Sequence, residues 1–505
     1  MRVHLTALSD EGVATESKML GLEGSASEFA WSPKSDAFSV ALAPTPLIDD
    51  EYMARTIHVV DAVSGVTRAK LETVGKLGDV VWSPDGASLA VIAAADIHDP
   101  NAGRLVLADA KSGRTRDLLP LWEGDVAAIA FVDADTIAYV GHESVETYLA
   151  EIDTKPGAKP RVLVDKGGAA MYALSLSRDG KNAAIVADAP GHPREVFRWT
   201  RGAKQVARVS KSNPWLATTR LAKQEVVTYK ARDGVSIDGL LIRPLDEKPG
   251  TRYPLVLVVH GGPEAHYSNG WLTRYASPGQ FGAAQGYAVF YPNYRGSTGR
   301  GVAFSKMGQS DYAGAEFDDL VDGVKHLIAT GLVDEKRVGV TGGSYGGYAS
   351  AWLATKHTEH FAASVMFVGI SENFSKFGTT DIPNEMYLVH ARKWPWDNWD
   401  FYAERSPIRY VEQARTPILI LHGEDDTRVH PSQSMTLYRY LKTYGKVPVR
   451  LVLYPGEGHG NRKAAAQKDY ALRMMEWFDH FLKGSGGEKP AAGKALEGLI
   501  VEGRK

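Results

Sequence analysis

Between Val338 and Leu353 the chain runs Val-Gly-Val-Thr, then Gly342-Gly343-Ser344-Tyr345-Gly346-Gly347, then Tyr-Ala-Ser-Ala-Trp-Leu. A strand pattern passes into a helix pattern through a turn made almost wholly of glycine, and few folds can use such a segment. Side chains at Gly342 and Gly346 would collide with neighbouring backbone, while Ser344 is pushed up at the end of the strand. The helix that begins there turns its amino-terminal dipole toward any anion that develops beside Ser344. The pattern G-x-S-x-G with both flanks in place marks Ser344 as a candidate nucleophile.

A serine hydroxyl is a poor nucleophile at neutral pH and requires a base that is itself oriented by a carboxylate. Both partners are expected downstream, in the order acid then histidine. The apolar run 417–421 is followed by His422-Gly423-Glu424-Asp425-Asp426-Thr427-Arg428-Val429-His430, and the run 449–454 by Pro455-Gly456-Glu457-Gly458-His459-Gly460. His459, flanked by glycines, is the candidate base. Spacing does not choose among Glu424, Asp425 and Asp426. An oxyanion needs the amide after the nucleophile and one from the loop that follows the strand 255–259, here His260-Gly261-Gly262-Pro263. The Tyr345 and Gly262 amides are the expected pair, with Gly261 the near alternative.

These segments belong to a region that alternates strand and helix patterns from Gln224 to about Lys483. Strands are expected at 225–230, 236–243, 255–259, 288–291, 337–341, 362–367, 417–421 and 449–454, and helices at 315–330, 345–356, 432–444 and 465–482. That order predicts a doubly wound, mainly parallel sheet covered by helices.

The first 215 residues repeat instead. Trp31-Ser32-Pro33, Trp82-Ser83-Pro84-Asp85-Gly86, Phe131-Val132-Asp133-Ala134-Asp135 and Leu176-Ser177-Arg178-Asp179-Gly180 stand 51, 49 and 45 residues apart, each leading into a short apolar strand. A second hairpin recurs in phase at 57–65, 105–113, 148–153 and 196–202. Two hairpins per unit is the pattern of propeller blades rather than of a sandwich. The stretch 3–12 resembles the second hairpin of a unit, so about four and a half blades are expected.

Charge and composition narrow the function. Lys and Arg number 58 against 60 Asp and Glu, so no basic field invites nucleic acid. Without cysteine there is no disulfide, thiolate zinc site or nucleophilic thiol. No apolar run approaches the 18 or so residues that span a bilayer, and Met1 to Leu20 lacks signal-peptide features. The expectation is a cytoplasmic chain, or a periplasmic one should the amino terminus be truncated. His357 and His360 lack a third ligand and read as surface residues, and no phosphate or dinucleotide loop is present. No metal or cofactor is expected.

The motifs His260-Gly261-Gly262-Pro263, Asn293-Tyr294-Arg295-Gly296-Ser297, Gly342-Gly343-Ser344-Tyr345-Gly346-Gly347, His422-Gly423 with Asp426 and Val429, and Gly458-His459 together resemble the prolyl oligopeptidase family of serine peptidases. The likeness is greatest to its acylaminoacyl-peptidase and dipeptidyl-aminopeptidase-like branches, over about residues 220–485. It implies an α/β-hydrolase domain at 216–484 after a β-propeller-like domain at 1–215, and the stretch 485–505, rich in Gly, Lys and Ala, reads as a flexible tail. It also implies Asp426 as the acid, since the family aspartate precedes the loop valine by three positions. Arg428 then matches a position that binds a substrate carbonyl, and Val368, Phe374, Phe377 and Val429, with Tyr345, are candidates for the primary specificity pocket. Family propellers have seven or eight blades, so four to five implies an incomplete ring, as in a truncated or shortened chain. The glutamate pair that binds a free amino terminus in dipeptidyl peptidase IV is not recognisable. The reading is a serine peptidase of short peptides, acting on acylated or free amino-terminal residues or dipeptides, without cofactor and with a homo-oligomer open. A carboxylesterase of the same fold and a non-catalytic propeller binding protein are the alternatives.

Overall fold

The computed structural model describes residues 2–12, 14–488 and 490; of the tail expected at 485–505, only 485–488 and 490 lie within it. The chain divides into two compact units. The first holds the residues up to Ser212 together with Thr298–Lys306 and Asn384–Val389, and the remainder forms the second.

In the first unit β1 (His4–Leu8) and β2 (Ala14–Met19) form an antiparallel pair. Four antiparallel sheets of four strands follow, each in chain order. They are Ser25–Trp31, Ala37–Ala43, Thr56–Asp61 and Thr67–Lys70 (β3 to β6); then Leu77–Trp82, Ser88–Ala93, Arg104–Asp109 and Thr115–Asp117 (β7 to β10). Asp125–Phe131, Thr136–Glu143, Glu146–Asp153 and Arg161–Val164 (β11 to β14), and Ala170–Leu176, Asn182–Ala189, His192–Thr200 and Ala207–Arg208 (β15 to β18), complete the set.

The repeated Ser-Pro-Asp-Gly clusters close the first hairpin of their sheets by one device. Ser83 Oγ donates to Asp85 at 2.7 Å and accepts from the Ser88 amide at 2.9 Å, and Ser177 repeats this with Asp179 and Asn182 at 2.7 and 3.0 Å. Small polar side chains thus satisfy the backbone of a turn, which is why they recur where they do. Consecutive sheets pack through shared apolar clusters. Ile57, Val59 and Ala69 meet Leu89 and Val91; Ile92 and Leu105 meet Ile137 and Tyr139; Val140 and Leu149 meet Ile185 and Phe197.

The second unit is built on one eight-stranded sheet: β19 (Gln224–Lys230), β20 (Ser236–Ile242), β21 (Tyr253–Val259), β22 (Ala288–Asn293), β23 (Val333–Gly343), β24 (Ala363–Phe367), β25 (Ile418–Gly423) and β26 (Val449–Tyr454). Its order is β19-β20-β22-β21-β23-β24-β25-β26, antiparallel through β19, β20 and β22 and parallel from β22 onward. The expected strands are all present, and the helices Ala315–Ala329, Tyr345–Thr355, Ser432–Tyr444 and Ala464–Phe478 lie where the periodicity set them. Between β21 and β23 the winding reverses. Loops leaving neighbouring strands diverge at such a point and open a crevice at their carboxyl ends.

Candidate active site

The crevice at that reversal is flanked by the loop after β21 and the turn after β23. Ser344 occupies the turn with φ +59° and ψ −119°, a region that non-glycine residues rarely enter. Its amide donates to the Phe367 carbonyl at 3.0 Å and its carbonyl accepts from Tyr348 at 2.9 Å, so the strained conformation is pinned from both sides. A Cβ on Gly342 or Gly346 would lie 2.4 or 2.1 Å from the Val259 carbonyl oxygen, which accounts for the glycines. The following helix, Tyr345–Thr355, is buried along its whole length.

Asp426 and His459 leave the carboxyl ends of β25 and β26, on the same edge of the sheet. His459 Nδ1 lies 2.7 Å from Asp426 Oδ2, leaving Nε2 as the nitrogen able to serve a hydroxyl. The amides of Arg428 and Val429 donate to Asp426 Oδ1 at 2.9 and 3.0 Å, and His422 Nε2 lies 3.2 Å from Oδ2. Burial opposes charge on Asp426, yet hydrogen bonds from His422 and His459 and the attraction of His459 outweigh it and hold the carboxyl well below the usual range. Glu424 and Asp425 are exposed, and their amides donate to the carbonyls of Tyr454 and Glu457. Of the three acids, Asp426 is the one joined to His459.

On the other side of the crevice, a Cβ on Gly261 would lie 3.2 Å from Ser344 Cβ and 3.8 Å from the Tyr345 amide nitrogen. Gly262 has φ +117°. The motif Asn293 to Ser297, to which the sequence gives no role, holds this loop in place. Tyr294 stacks on His260 at 4.3 Å and donates to its carbonyl, and Ser297 Oγ lies 2.9 Å from His260 Nε2. Arg295 anchors the motif in turn, forking onto Asp319 at 2.9 and 2.7 Å and reaching Asp233 at 2.6 Å. Burial pushes His260 down to about 4, so its ring is neutral.

The remaining candidates divide. Arg428 Nε donates to Asp381 Oδ1 at 2.6 Å, an ion pair within the unit. Val368 and Val429 are buried, and Val368 has φ +41°. Phe374 packs against Trp399 at 5.1 Å, and Phe377 meets edge-on a stacked pair, Trp394 and Trp396, the latter 58% exposed. The helix that carries both, Asn373–Thr379, is bonded to the acid loop: Lys376 Nζ and Thr380 Oγ1 each donate to the Arg428 carbonyl at 2.8 Å. His357 and His360 lie 3.7 and 3.5 Å from Asp318 and Glu359.

The prolyl oligopeptidase family signature matches residues 274–485. The uncharacterized peptidase YuxL of Bacillus subtilis is 33% identical over 316 residues, covering 61% of this chain and 47% of that protein. Dipeptidyl-peptidase 5 of Porphyromonas gingivalis is 28% identical over 477 residues, covering 90% of this chain and 67% of its own. The chain therefore spans about half to two thirds of the length of these relatives. The solved acylaminoacyl peptidase of Pyrococcus horikoshii superposes with a TM-score of 0.80 at 21% identity, over 99% of this chain and 76% of that one. By sequence the chain is thus similar, through residues 274–485, to the prolyl oligopeptidase family.

Proposed function

We propose that this chain is a serine peptidase that cleaves short peptides from an acylated or free amino-terminal end through an acyl-enzyme. Ser344 attacks the carbonyl, His459 takes the proton and returns it to the leaving amine, and Asp426 holds the imidazolium. The Tyr345 amide and a Gly262 or Gly261 amide bind the oxyanion. The observation that carries this reading is the Asp426 to His459 bond of 2.7 Å at the sheet edge that also presents Ser344 on its strained turn. Arg428 is the candidate for a substrate carbonyl, which would draw its guanidinium away from Asp381. Val368, Phe374, Phe377 and Val429 are the candidates for the primary pocket. The first unit reads as four propeller blades with β1 and β2 as half of a fifth.

The test is hydrolysis of chromogenic amides with free, acetylated and extended amino ends, beside matched esters, for the wild type and Ser344→Ala. Amide turnover that Ser344→Ala abolishes supports the reading, and unchanged turnover by that variant defeats it. Turnover of esters alone would favour the carboxylesterase.

A further inference from the structure

The oxyanion site has two halves on different elements, and each is followed by a side chain tied to a buried carboxylate. Tyr345, the residue after the nucleophile, donates its hydroxyl to Glu316 Oε1 at 2.7 Å. Glu264, two residues beyond Gly262, lies 3.0 and 3.3 Å through its two oxygens from His390 Nε2, with side chains 10% and 5% exposed. Tyr312 joins the two arrangements: its ring packs edge-on to Tyr345 at 5.2 Å and stacks on His390 at 5.8 Å, 23° from parallel. A continuous buried path therefore runs Glu316, Tyr345, Tyr312, His390, Glu264, all within the second unit. Among the described residues His390 Nδ1 is buried without a hydrogen-bond partner, so the ring's one satisfied nitrogen is the one facing Glu264. Parting the pair would leave the buried His390 ring without its hydrogen bond.

We propose, resting on the serine-hydrolase reading above, that Glu264 and His390 are positioning residues for the oxyanion site. Their pair fixes the loop of Gly261 and Gly262 against the Tyr345 helix, so that the two amides keep the separation an oxyanion requires. Neither residue touches the reacting atoms. Tyr294 and Ser297 hold the His260 end of the loop and the Glu264 pair holds its far end, where a small drift weakens the bond to the tetrahedral oxygen more than any bond to the ground state.

The test compares Glu264→Ala, Glu264→Gln and His390→Gln with the wild type in the full chain, on one chromogenic substrate and with a peptide aldehyde whose adduct carries the oxyanion. Removing an oxyanion donor costs about 10²- to 10³-fold in kcat, and displacing one is expected to cost roughly tenfold to a hundredfold. Glu264→Ala should lose that in kcat with KM within about twofold, and lose aldehyde affinity in parallel, while Glu264→Gln, which still accepts from His390, restores most of both. His390→Gln carries the same test should Glu264→Ala not fold. An unchanged kcat in an active background, a loss in KM alone, or a lower melting temperature with intact kcat and aldehyde affinity overturns this proposal and leaves the hydrolase reading standing. A wild-type chain that turns over neither amide nor ester defeats the hydrolase reading itself, and this proposal with it.

Discussion

At Asp426 burial alone would favour the neutral acid, but two backbone amides and two imidazoles converge on its oxygens and the ionised form prevails. A carboxylate held that low stays charged through the neutral and mildly acid range, so its bond to His459 persists across that range. Asp426→Asn keeps the size but offers the wrong partner to Nδ1, and kcat should fall by about 10⁴-fold while Ser344 remains present and the fold intact. Steady-state rates on one amide, beside a circular-dichroism melt, check this. His260 makes an opposite prediction about pH. Its ordinary value of 6.5 is lowered to about 4 in the fold, chiefly by burial, so the unfolded chain takes up a proton that the folded one refuses. The stability it contributes is complete above about pH 6.5 and is lost as pH falls toward about 4. The wild-type melting temperature should drop more steeply across that window than that of His260→Gln. The triad candidates were legible because each follows an apolar strand within a few residues. Glu264 and His390 were not, because they are 126 positions apart and no local pattern announces a pair that only folding brings together.

The elements show the same division. Strands β21 to β26 and the four long helices follow from apolar runs and helical periodicity, since each buries a face wide enough to leave a trace in the sequence. The helix Asn373–Thr379 leaves none: Asn-Phe-Ser-Lys-Phe-Gly-Thr is a poor helix former, and tertiary bonds stabilise it instead. Glu372 caps it by accepting from the Phe374 and Ser375 amides at 2.5 and 2.9 Å. Asn373 Nδ2 donates to Tyr348 on the nucleophile helix at 3.1 Å, and Lys376 Nζ donates to the Arg428 carbonyl and to Thr380. A short helix is thus bonded to both the nucleophile helix and the acid loop, with Phe374 and Phe377 carried on it. Replacing the buried Lys376 by methionine removes one of the two donors to the Arg428 carbonyl and leaves Thr380 as the other, at a cost of about 0.5–1.5 kcal/mol. If this helix shapes the substrate pocket, Lys376→Met should raise KM several-fold for short amides while a fluorophosphonate still labels Ser344. A kcat effect with unchanged KM would assign the helix to the catalytic loop instead.

Across the whole chain, the two units are not two lengths of sequence. Thr298–Lys306 and Asn384–Val389 fall in the second half of the chain yet group with the first unit. Their bonds give the reason. The Gly299 amide donates to Asp125, its carbonyl accepts from Ser144 at 2.6 Å, and Lys306 Nζ reaches Asp96 at 2.6 Å. The Asn384 and Glu385 amides donate to Asp49 at 2.6 and 3.0 Å, and Lys76 pairs with Glu385. These partners stand 155 to 336 residues apart, which is why periodicity and composition put a clean boundary near residue 215 that the structure does not respect at these two segments. A chain begun at Asn213 would keep the whole eight-stranded sheet and all the proposed triad, yet would carry both segments without their partners, leaving buried carboxylate contacts such as Asp125 and Asp49 unreplaced. Backbone released in this way opens locally and is cut first by proteases. Limited trypsin digestion of that shortened chain should therefore cleave early at Arg300 and Lys306, bonds that resist in the full chain under the same conditions. Equal resistance in both chains would mean that the second unit holds these segments unaided and that the boundary near residue 215 is the true one.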